Sequence, residues 1–213
     1  LSALSSMNKG ILLVLSGYLM WGCFPLYWAL LNHVNPSEVL IHRMLWAVPV
    51  LFFLVHFKAT WKSNFKESLA SKKELVLLFL TAILITINWG GYIYAVNLGR
   101  VIEASMGYFL SPVINMIGGY IFFHERISKL KQIAVFFATV GALYYVFSGD
   151  SFPWLGFLVG FTFSAYGIAR KAMASSSVPG LYIETLILLP FLLIFSLWFY
   201  TNYDIAFFNI DIS

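Results

Sequence analysis

Seven stretches of about 20 residues follow one another along this chain with scarcely a charge inside them, at residues 10–31, 36–57, 74–98, 102–123, 131–148, 153–170 and 179–200. Each is long enough to cross the hydrocarbon core of a bilayer as a helix. In lipid no water satisfies backbone N–H and C=O groups, so only helices and closed β-barrels can span. Barrel strands would be about ten residues long and would alternate strictly, whereas these runs are about twice that length and apolar on all sides. The expected fold is therefore all-α, a polytopic transmembrane helix bundle. Composition excludes a soluble domain: 61% of residues are hydrophobic and 10% charged, against about 45–50% and about 25% in ordinary soluble domains. The single cysteine, Cys23, rules out an intramolecular disulfide framework and offers no Cys set for a metal.

Orientation follows from the 13 Lys and Arg residues, which membrane proteins concentrate in cytoplasmic loops. With a cytoplasmic N-terminus, eleven fall inside: Lys9, Lys58, Lys62, Lys66, Lys72, Lys73, Arg126, Lys129, Lys131, Arg170 and Lys171. Only Arg100 falls outside, and Arg43 lies within the second run near its outer end. Residues 1–9 are then a cytoplasmic N-terminus and 201–213 an extracytoplasmic tail whose charges, Asp204 and Asp211, are acidic. The first apolar run is expected to be a retained span, because too little basic charge precedes it for a secretory signal. The net charge of +4 fits this loop bias and needs no nucleic-acid partner. The longest loop, 58–73, is basic and suited to lying along the inner surface.

Compared with itself at an offset of 143, the chain aligns Gly17 with Gly160 and Pro36 with Pro179, and brings Pro49 within two positions of Pro190. That makes the first two spans counterparts of the sixth and seventh. A unit with an odd number of helices inserts its second copy upside down, and inverted repeats are a transporter signature.

The third and fourth spans are more specific. Asn88-Trp89, Ala95-Val96-Asn97, Glu103-Ala104-Ser105-Met106-Gly107-Tyr108-Phe109, Pro112, Asn115 and Glu125-Arg126, with Glu38, His42-Arg43 and Trp46 in the second span, resemble the RarD-type branch of the EamA family, in the drug/metabolite transporter superfamily. Relatives often have Asn where this chain has Ser111. The resemblance implies ten helices in two inverted five-helix halves, of which seven would be present here: a first repeat at 10–148 and two helices of a second at 153–200. It implies a secondary carrier in the bacterial plasma (inner) membrane, exporting or exchanging small metabolites or drugs by alternating access.

Buried polar groups are expensive in lipid, so each needs a reason. In the fourth span Glu103, Gly107, Ser111, Asn115 and Gly119 recur every four residues and form one stripe. Such a stripe serves close helix packing or lines a cavity, and the pattern leaves both open. Pro112 frees the carbonyl of Tyr108 and kinks the helix. Asn88 and Tyr92 share a face of the third span, with Trp89, Trp21 and Trp46 as aromatic walls. The substrate-path candidates are thus Asn115, Glu103, Ser111, Tyr108, Asn88, Trp89 and Tyr92. Glu38, His42, Arg43 and Glu184 are candidates for gating or a proton-linked step, with snorkelling to the interface the alternative for the first three. No catalytic or metal constellation emerges from His33, His42, His56 and His124, and no Gly-rich phosphate loop is present, so no cofactor and no ATP-driven step are expected. The expected partners are a small-molecule substrate and the lipid bilayer, with a homodimer compatible. A scaffold or receptor-like bundle and, more remotely, a membrane-embedded enzyme are the competing functions.

Overall fold

The computed structural model describes residues 2–31, 33–149 and 151–206, with side chains from residue 10 onward. Eight helices follow in chain order: α1 (Ser2–Ala29), α2 (Pro36–Phe57), α3 (Ala59–Ala70), α4 (Lys72–Asn97), α5 (Val101–Phe123), α6 (Lys129–Ser148), α7 (Trp154–Lys171) and α8 (Ser177–Asn202). The chain is an all-helical polytopic bundle, and no strand occurs among the described residues. Local chemistry sets several boundaries. Asn35 accepts a bond from the Ser37 amide at 2.9 Å, with Pro36 at the first helical position of α2. Ser71 caps α4 by accepting from the Glu74 amide at 3.3 Å. His124 ends α5 in the left-handed conformation, at φ 52°, and the Glu125 amide turns back to the Gly119 carbonyl.

The helices refine the expected elements in three ways. Among the described residues six helices are long and apolar enough on their own to cross a membrane. The exception is α7, whose 18 residues include Gly156, Gly160, Ser164 and the terminal Arg170 and Lys171. It is packed between α4 and α5, so its helix-facing sides are selected for small size rather than lipid solubility. Second, the helix carrying the first expected span begins at Ser2, while its stretch apolar enough to cross is Gly10–Ala29, starting where the expected run starts. Third, the basic loop contains a helix of its own, α3, which touches α2, α4 and α8. Of the expected tail 201–213, residues 207–213, with Asp211, lie outside the described residues, as does residue 1 of the expected N-terminal segment.

Helix α7 forms the centre against α5 and α4, and α2 packs along α8. By contrast α6 leans mainly on α5 and α1 mainly on α4, and no described side chain of α1 is buried. Close approach of α5 to α7 is built on glycine. A Cβ on Gly156 would stand 2.5 Å from the Glu103 carbonyl oxygen, one on Gly160 2.7 Å from that of Gly107, and one on Gly107 would collide with the Gly156 oxygen. Ser111 and Ser164 stitch the same seam, donating to the Gly160 and Ser111 carbonyls, each at 3.4 Å.

Candidate functional site

Between α1, α2, α4, α5 and α7 lies a cavity of about 480 Å³, within the range of about 300–1,000 Å³ usual for small-molecule sites. Its walls are aromatic. Trp21 stands 6.3 Å from Tyr108 and 6.0 Å from Phe163, centroid to centroid, and Tyr108 lies 5.7 Å from Tyr92 and 5.5 Å from Phe163. Tyr18, Trp28 and Trp89 complete the rim. Arg43 enters from α2, its guanidinium carbon 4.0 Å above the Trp89 ring and 5.6 Å from that of Trp28. It is the one side chain of the lining that carries a charge at neutral pH. Seven residues at about 1.5 Å each put it about 10 Å along α2 from Pro36, and it is half-buried.

Polar groups are sparse and differ in how far they are committed. Asn88 is buried and spends its amide on α7, donating to the Val159 carbonyl at 2.8 Å and to Thr162 Oγ1 at 3.2 Å. Asn115 is exposed to the cavity. With Pro112 it also lines a second cavity of about 460 Å³, which runs toward the basic end of the bundle past Gly119, Phe123, Glu125 and Lys171. Glu125 accepts a hydrogen bond from Lys171 at that end, and this bond holds the Glu125 carboxyl below the usual carboxylate range. A depressed carboxyl pKa favours the folded pairing above the ordinary carboxylate pKa and loses it as pH falls through the depressed value.

The other candidates lie elsewhere. Glu103 is buried at the start of α5, where it accepts from the Leu155 amide at 2.7 Å and the Gly156 amide at 3.4 Å and pairs with Arg100 at 2.5 Å. It thus serves the first turn of α7, where exposed amides attract an anion. The stripe of α5 therefore divides: Glu103 and Gly107 face α7, Ser111 touches both seam and cavity, and Asn115 faces open space. Glu38 is buried in the first turn of α2 and accepts from the Ala206 amide at 3.2 Å. His42 Nε2 lies 3.0 Å from the Tyr200 hydroxyl of α8.

Glu184 sits apart from the cavity in a buried cluster joining α4, α7 and α8. Thr81 donates to it at 2.7 Å and Tyr166 at 3.3 Å, with Arg170 3.6 Å away. Trp46, expected as a wall, is 62% exposed on the outside of α2. Sequence reasoning missed Tyr18, Trp28 and Phe163 in the cavity and Thr81, Tyr166 and Arg170 around Glu184. Tyr18, Trp21, Pro25 and Trp28 recur at steps of three and four along α1, and Tyr166 and Arg170 are one turn apart, so helical periodicity was the available signal. Among the described residues no group of three or more His, Cys, Asp or Glu side chains could hold a metal ion.

Comparison with known proteins gives a consistent match. The profile described as the EamA-like transporter family matches residues 8–147. An uncharacterized transporter of Bacillus subtilis, YojE, is 36% identical over 185 residues, which is 86% of this chain and 62% of that protein. An uncharacterized transporter of Pseudomonas aeruginosa is 35% identical, covering 92% of this chain and 66% of its own length. Protein RarD of Escherichia coli is 35% identical over 86% of this chain and 62% of its own. The chain thus spans just under two thirds of the length of these relatives. No solved structure matches it significantly.

Proposed function

This chain belongs to the RarD-type branch of the EamA-like transporter family, and on that premise we propose that it forms the substrate-binding part of a secondary transporter that exports or exchanges small metabolites or drugs. The observation that carries this reading is the aromatic cavity around Arg43. Its continuation past Pro112 and Asn115 toward the Glu125–Lys171 pair supplies a route to the basic end of the bundle. Pro112 lies inside α5, which stays helical, where the two cavities meet, and there it removes one backbone donor and frees an acceptor.

In this reading all seven runs span the bacterial plasma membrane, α7 included, and the N-terminus is cytoplasmic. Residues 10–148 are one five-helix repeat and 153–200 the start of its inverted copy. The packing supports that scheme. The proposed counterparts α2 and α8 lie against each other, and α7 fits between α4 and α5. Its counterpart α1, which leaves its apolar side chains exposed, would by the same symmetry fit between the second-repeat counterparts of α4 and α5. The test is flux of a panel of radiolabelled metabolites and drugs into proteoliposomes carrying the protein at its natural full length. Gradient-driven accumulation of at least one compound above protein-free liposomes is expected. Binding without flux of any compound would favour a scaffold or receptor instead.

A further inference from the structure

Arg43 lines the cavity, and among the described residues no carboxylate pairs with it. The ion pairs among the described residues join Arg100 to Glu103, Arg170 to Glu184 and Lys171 to Glu125, and Arg43 belongs to none of them. The nearby acid on its own helix, Glu38, accepts from the Ala206 amide, and Glu103 is held by Arg100 and the amides of α7. What surrounds Arg43 is aromatic: Trp89 beneath it, Trp28 beside it, and Tyr92 and Tyr108 in the same cavity lining. Stacking on indole engages the face of a guanidinium and leaves the N–H donors along its edge free, in the fork that matches the two oxygens of a planar oxyanion. Trp28 adds a buried indole N–H with no acceptor among the described residues.

Resting on the substrate-site reading, we propose that the cavity selects a small organic anion, its oxyanion group paired with the edge of Arg43 and its flat apolar body lodged among Trp21, Tyr92, Tyr108 and Phe163. The ligand supplies the charge that the protein withholds. A neutral ligand would leave the guanidinium uncompensated, and a cation would add repulsion in a poorly solvated space. The charge preference therefore comes from Arg43, and shape selectivity from the rings.

Three probes of one shape separate these terms: 3-phenylpropionate, its amide and 3-phenylpropylamine. Each is titrated into the purified protein in lipid nanodiscs and followed by tryptophan fluorescence, with thermal unfolding recorded for every variant. The acid is expected to bind at least about tenfold tighter than the amide, with the amine weakest, and Arg43→Gln is expected to bring acid and amide within about twofold. Arg43→Lys, which keeps the charge and loses the fork, retains a reduced preference for the acid and serves if the glutamine variant does not fold. An amide that binds as tightly as the acid, a preference that survives in Arg43→Gln, or no binding of the acid would each overturn the anion assignment. The transport reading stands or falls separately by the flux panel, which contains neutral and cationic compounds.

Discussion

Two asparagines that look alike in sequence are placed to do different things. Asn88 is 1% exposed and its amide is committed to α7, whereas Asn115 looks into open space where the two cavities meet. Asn88→Ala is expected to lower stability by roughly 1–2 kcal/mol, the usual loss for a buried hydrogen bond. Asn115→Ala is expected to leave thermal unfolding within about 0.5 kcal/mol of the parent while reducing flux several-fold. Unfolding and transport measured on both variants check this, and equal loss of stability would remove the distinction. Glu103 belongs with Asn88: its carboxylate is spent on the α7 amides and Arg100, so Glu103→Ala should impair folding rather than selectivity. The need for a buried acid to have a reason could be read from the sequence. The reason itself could not, because Leu155 and Gly156 are some 50 positions away.

At the scale of elements, the contact of α5 with α7 depends on carbonyl oxygens lying where a side chain would begin. Gly107→Ala would drive a methyl group into the Gly156 carbonyl, and backbone cannot yield as a flexible side chain can. A loss of about 1–3 kcal/mol is expected, in the range of overpacked cores. Gly141→Ala, on α6 with nothing within 4 Å of its Cβ, should be neutral or slightly stabilising. Thermal unfolding of the pair in detergent decides the matter, and equal effects would contradict the seam. Six of the seven expected spans announced themselves by length and apolarity. The seventh expected run coincides with α7, whose small and polar residues pack between α4 and α5. Element positions were legible because lipid imposes one simple rule on every span. Pairing was not, since an apolar face that packs on a helix and one that meets lipid have the same composition. Hence Trp21 was identified as a cavity wall, Trp28 was missed and Trp46 was misplaced.

For the whole molecule, the basic loops gather at one end: Asn64 of α3 accepts from the Ser176 amide, Glu74 of α4 from the Ala174 amide, and Glu125 from Lys171. Arg100 stands at the other end of α4. A cytoplasmic location for that basic end implies, in a Cys23→Ser background, that an impermeant thiol reagent added to intact cells labels Ala206→Cys and not Ser63→Cys; the reverse pattern would invert the topology. On the proposed function, substrate passes through the space between α1, α2, α4, α5 and α7. Ser105 lines that cavity, and Ser105→Cys in the same background places a removable plug in it. Flux of a carried compound should survive the substitution, fall at least about tenfold once the thiol bears a bulky disulfide-linked group, and return on reduction. Unchanged flux at full modification of Ser105→Cys would show that substrate takes another path.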